Sequence, residues 1–200
     1  MRSWFVPILQ FWFGEVDALG RSDVMHSRRW FMKDAAFDRE IADRFGQTFA
    51  DVRAGLRENW LDEPRGRVAY VIVLDQFSRN MFRGTARMFE GDRQALAAAV
   101  EGVARHDDTD LTVSERSFLY MPFMHSEDLG MQERSVALFT ELAESAPSEL
   151  RGSVLAGVKY AEKHQEVIAR YGRFPHRNTA LGRESTPAEL AFIAQPDSGF

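Results

Sequence analysis

Three histidines, His125, His164 and His176, are the side chains best suited to move a proton near neutral pH, and each has polar residues close by in the sequence. The segment HSED places Glu127 two residues after His125, and the loop RFPHRN carries Arg173, His176, Arg177 and Asn178 together. Upstream, Asp75, Gln76, Arg79 and Asn80 share one side of a helix when successive residues are turned by about 100°. These residue types allow general acid–base catalysis. His125, Glu127, His164 and His176 are the acid–base groups, and Asp75 or Glu127 is the carboxylate that orients an imidazole. Arg79, Arg116, Arg173 and Arg177, with Gln76, Asn80 and Asn178, are the binding groups, because a planar guanidinium recognises carboxylate and phosphate. Four arginines against Asp75 and Glu127, with histidine neutral, leave an excess of two positive charges, so the expected ligand is an anion.

Each of these residues also has a plainer explanation. A polar stripe is often a solvated face, but Val68 and Ile72 lie on the same side as Asp75, one and two turns earlier, which points to a polar cavity. Arg116 sits among Tyr120, Leu119, Phe123 and Val113, and a buried arginine needs an acid; Asp75 is the expected partner. His164 interrupts the stripe Leu150, Gly157, Ala161, Ile168 and Tyr171, a place where a core histidine bonded to backbone is the ordinary outcome. A metal site from His125, Glu127, His164 and His176 is a further alternative, although the Glu-x-x-His pairs of di-iron bundles are missing. Dinucleotide and phosphate-loop glycine patterns, HExxH and G-x-S-x-G are all absent. No cofactor is expected.

The elements that must hold these residues are helical throughout, since no segment shows sustained period-two alternation. Helices are expected from Pro7 to Phe13, from about Asp38 to Asn59 on the stripe Phe37, Ile41, Phe45, Phe49, Val52, Leu56 and Trp60, and from Pro64 to Gly84. Further helices follow from about Asp92 to Arg105, from Val113 behind a Thr112/Glu115 capping box to a break at Pro122, and from about Asp128 to Glu144. A long one ends at Gly172 and a short one follows Thr186-Pro187, with an irregular tail QPDSGF. This gives one all-α domain over residues 1–200, with seven to nine helices in stacked antiparallel hairpins.

Composition sets the outer limits. The 200 residues include 44% hydrophobic side chains and no Cys, which removes disulfides, thiolate metal sites and cysteine nucleophiles. A net charge of -5 argues against nucleic acid as a partner. No apolar run is long enough to span a membrane, and no export signal is visible, so a cytoplasmic protein is expected. Of the 25 basic residues only Lys33, Lys159 and Lys163 are lysine.

Five segments, FWFGE (11–15), LDQFSRNMFRGT (74–85), ERSFLYMPFMHSED (115–128), QERSVALF (132–139) and GRFPHRNTALGRESTPAE (172–189), resemble the bacterial family filed as domain of unknown function 924, in order along nearly the whole chain. Ser78 stands where that family's segment has proline. The resemblance implies an all-helical, tetratricopeptide-repeat-like fold and no established activity. Two functions follow as expectations: a small-molecule site, binding or catalytic, for an anion, or a helical scaffold for a protein or peptide.

Overall fold

The computed structural model describes residues 4–195, so the tail beyond Gln195 lies outside the described residues. Among them the chain is all helical, with an isolated bridge between Val16 and Ser22 and no strand. The helices are α1 (Val6–Phe13), α2 (Val24–Arg29), α3 (Ala35–Arg53), α4 (Pro64–Val71), α5 (Ser78–Met81), α6 (Asp92–Ala104), α7 (Val113–Met124), α8 (Leu129–Ser145), α9 (Ser148–Tyr171) and α10 (Pro187–Ile193). A π-helical segment, Ile72–Phe77, joins α4 to α5 without a break, so residues 64–81 form one rod. Counted that way, the described residues hold nine helices.

That rod is the centre of the molecule. Val68 to Leu74 and Phe77 are all buried, as the all-round apolar pattern requires. Around it α1 brings Phe11, Trp12 and Phe13 against Phe37 and Phe45 of α3, Phe77 and Phe118, in ring pairs with centroids 4.9 to 6.3 Å apart. Helices α6 and α7 pack against α4, and α7, α8 and α9 pack in succession. Only Ala146 and Pro147 separate α8 from α9, so the pair must run antiparallel as a hairpin.

The ends follow from local chemistry. Thr112 with Glu115, and Thr186 with Glu189, form complete capping boxes that open α7 and α10. Gly172 closes α9 in the left-handed region at φ 68°.

Several boundaries differ from expectation. The helix expected to reach Asn59 ends at Arg53, because Gly55 turns at φ 76°; Leu56 is consequently exposed, while Trp60 returns to the core from a 3-10 turn. Helix α7 continues through Pro122 to Met124, since a proline near the C-terminal end removes one backbone bond and leaves the turns before it intact. Helix α2, in the stretch between the first two expected helices, is capped by the Asp23 side chain on His26 N–H and buries none of its residues.

Candidate functional site

The site begins with Asp75 in the π-helical segment. Its carboxylate is almost entirely buried, and three side chains meet it: His125 Nδ1 at 2.7 Å, Gln76 Nε2 at 2.6 Å and Arg79 Nη1 at 3.0 Å. A carboxylate with this many donors stays ionised. The Arg79 charge, His125 and the Gln76 amide more than offset desolvation, holding the Asp75 carboxyl well below the usual range.

His125 is the residue immediately after α7, and its ring lies over Asp75 because α7 packs across the rod. Burial, reinforced by the Arg79 charge, pushes its pKa below the ordinary value despite the Asp75 contact, so the ring is neutral at pH 7. With an ionised carboxylate at Nδ1, the ring proton belongs on Nδ1 and Nε2 is the basic nitrogen. Among the described residues no group bonds Nε2, and 16% of the side chain is accessible.

Two arginines flank the pair. Arg79 grips Asp92 through Nη1 at 2.8 Å and Nη2 at 3.0 Å, besides donating to the Asp75 carbonyl. Arg177 donates through Nη2 to the His125 carbonyl at 2.9 Å and reaches Asp92 through Nη1 at 3.4 Å. Its guanidinium packs on Phe89 and Phe174, 4.8 and 4.4 Å from the ring centroids. Burial lowers its pKa to about 10, which still leaves it charged at neutral pH.

Asp92, at the first position of α6, is the member of this group that sequence reasoning missed. It reaches Arg79 because Gly91 lets the start of α6 meet the rod; a Cβ there would run into the Leu74 carbonyl. A signal for it existed, since two arginines placed near one Asp leave a charge to be balanced. With Asp92 included, Arg79 and Arg177 are matched by Asp75 and Asp92, and the excess of two positive charges disappears from this cluster.

The other two histidines lie beside His125. The His164 and His125 rings are 6.2 Å apart, and His164 Nδ1 is 2.7 Å from the Tyr160 carbonyl, so Nδ1 carries the proton. Burial, with His125 and Arg177 nearby, pushes its pKa down to about 3. His176, in a 3-10 turn at Pro175–Arg177, falls to about 4 through burial and the Arg177 charge. Both are neutral at pH 7.

Several expected site residues are directed elsewhere. Arg116 is half-buried and donates to the Tyr120 hydroxyl at 3.2 Å, and Tyr120 in turn donates to Asp108; Arg116 makes no bond to Asp75. The fully buried arginine is Arg67, which donates to Asp107 at 2.8 Å and to the carbonyls of Ala98 and Leu61. Asn80 donates to Asp38 of α3, because five residues at about 100° each put it roughly 140° around the rod from Asp75. Glu127 accepts from Arg183 at 2.6 and 2.9 Å and from the Phe174 N–H, so it fastens the 172–186 loop rather than pairing with a histidine. Arg173 grips Glu189, and Asn178 bonds Ser185 and accepts from Arg183, which ties the same loop to α10. Arg173 and Glu189 line a shallow cavity of about 580 Å³ with Arg170, Tyr171, Thr186 and Ala188. Among the described residues no three His, Asp or Glu side chains are disposed to hold a metal ion.

The class defined here is an all-helical protein with a charge-balanced, histidine-rich polar cluster inside a helical core. The chain belongs to the family of bacterial proteins of unknown function known as DUF924, whose profile matches residues 8–197. It is similar to a solved structure of a protein of unknown function, ATU0120, from Agrobacterium tumefaciens, with 33% identity, 96% of this chain and 97% of the other covered, and a TM-score of 0.81. Among curated proteins none matches the chain. Among the described residues no helix is long and apolar enough to cross a membrane.

Proposed function

We propose that the cluster is a proton-transfer site for a small anionic molecule, with His125 as the general base, Asp75 as its orienting carboxylate and Arg177 as the charge that draws the ligand. The observation that carries this is the state of the His125 ring. Its Nδ1 lies 2.7 Å from the buried Asp75 carboxylate, Nε2 has no partner among the described residues, 16% of the side chain is accessible, and burial pushes its pKa below the ordinary value. A general base at neutral pH needs this arrangement: a lone pair available, the tautomer fixed, and a fixed negative charge to stabilise the imidazolium once Nε2 has taken the proton. Arg79, already held by Asp92, keeps Asp75 ionised.

The test works whichever reaction the site performs. A panel of small carboxylates and phosphates is screened by thermal shift, and each is then incubated with the protein in D2O while loss of its carbon-bound proton signals is followed by NMR. At least one anion is expected to raise the melting temperature at 0.3 M salt, with proton exchange lost in His125→Gln and binding kept. No salt-resistant shift across the panel, or exchange equally fast in His125→Gln, overturns the proposal.

A further inference from the structure

Arg177 is the least fully satisfied cation of the cluster. Its Nη1 reaches Asp92 only at 3.4 Å, a carboxylate that Arg79 already holds by two shorter bonds, and its Nε is buried with no partner among the described residues. Only 8% of the side chain is accessible, and a buried donor without an acceptor forfeits the hydration it would have in water. The Phe89 and Phe174 ring centroids lie 4.8 and 4.4 Å from the guanidinium carbon, so aromatic surface packs on the group and leaves the in-plane edge that carries the unpaired Nε for a new bond.

We infer that Arg177 is a carboxylate receptor: Nε and the Nη2 hydrogen not given to the His125 carbonyl take the two oxygens of a monocarboxylate, side-on. The inference rests on the proposed acid–base site and names its substrate class. Shape favours carboxylate over phosphate. Both anions can pair bidentately with a guanidinium, but a planar carboxylate stays in the guanidinium plane, whereas a tetrahedral phosphoryl group also needs room out of that plane, close to the Phe89 and Phe174 rings. Charge favours it too. Arg79, Arg177, Asp75 and Asp92 sum to zero, so a monoanion leaves one uncompensated charge in a poorly solvated site and a dianion leaves two. Position links it to the base, because the residue whose carbonyl Arg177 holds is His125. A carboxylate bound there has its neighbouring carbon close to the imidazole that would take the proton.

The experiment follows the Arg177 Nε–Hε signal in protein labelled with 15N-arginine. The signal is assigned by its loss in Arg177→Lys, or, if that variant does not fold, by nuclear Overhauser contacts to the Phe89 and Phe174 rings. Acetate, propionate and inorganic phosphate are titrated separately at 0.3 M NaCl. The expected result is a saturable shift with acetate or propionate, at least tenfold weaker with phosphate, and carboxylate binding at least tenfold weaker by thermal shift in folded Arg177→Lys. An equal response to phosphate, or no movement of Nε with any anion, overturns the inference. Anions that move the His125 ring signals but not Arg177 Nε overturn the receptor while the acid–base site stands; if neither residue responds, both fall.

Discussion

Acidification from pH 6.5 to 4.5 is expected to cost this protein about 5 kcal/mol of stability, and the source is His164 and His176. Burial holds them at about 3 and about 4 in the folded protein, whereas an unfolded histidine titrates near 6.5. The folded pKa lies below the unfolded one, so below pH 6.5 the unfolded chain binds protons that the folded chain refuses, and stability falls as pH falls. One pH unit across that gap is worth about 1.36 kcal/mol per group, so two units cost about 2.7 kcal/mol for each histidine. His125, also lowered, adds in the same direction. Carboxylates held below their usual range, such as Asp38 and Glu127, lose their contribution only as pH drops under about 4.5, which leaves the window to the histidines. Urea unfolding followed by far-ultraviolet circular dichroism at pH 7.0, 5.5 and 4.5 and constant ionic strength measures the loss. His164→Gln should remove about half of it. A stability that is flat within about 1 kcal/mol, or that rises on acidification, would refute the claim that these rings are buried neutral.

Two other substitutions separate structural positions from surface ones. Arg67→Met takes the main cation from Asp107 and the donor from the buried Ala98 and half-buried Leu61 carbonyls, and should cost about 3 kcal/mol or more in urea unfolding, whereas Arg116→Ala, which loses one bond to a tyrosine hydroxyl, should cost under about 1. Gly91→Ala drives a methyl group against the Leu74 carbonyl; a loss of about 1 to 3 kcal/mol is expected together with a changed Arg79 Nε signal as Asp92 moves away, and an unchanged signal would mean that Gly91 does not place Asp92.

Much of the fold was legible because each helix announces itself with a period and an end. The Thr112/Glu115 box, the stop at Gly172 and the apolar rod after Pro64 all lie where their chemistry puts them. What was not legible is what periodicity at about 100° per residue cannot encode. Asp75 and Asn80 are five residues apart, so they lie at the two edges of a stripe about 140° wide, and packing alone decides that one edge meets His125 and the other Asp38. At the site, Asp75 and Arg79 were visible as a polar stripe on an otherwise apolar helix, and His125 and Arg177 as members of the polar segments HSED and RFPHRN. Asp92 was not, because an acid in the first turn of a helix is ordinary and its partners lie 13 and 85 residues away. Arg116 and Arg67 show the same limit. Both look like arginines in apolar stretches, and only packing decides which one is buried.

Whether the cluster exists for stability or for chemistry can be decided by removing all of it. Four charges taken out of water are costly, and replacing a buried ionic network with apolar side chains of similar volume is commonly neutral or stabilising by about 1 to 4 kcal/mol. A network kept for chemistry should therefore be dispensable for folding. The combined change Asp75→Leu, Arg79→Met, Asp92→Leu and Arg177→Met removes both signs equally, leaving no stranded partner among the four. The expected outcome at pH 7 is a folded, helical protein of equal or greater stability that no longer responds to any anion. Asp75→Leu alone removes the acceptor of the His125 proton and leaves Arg79 and Arg177 with Asp92 to share, a net buried positive charge that should cost about 3 to 5 kcal/mol. If the fourfold variant is instead as unstable as the single one, the four charges are the structural hub of the fold, and the functional proposal loses its energetic basis.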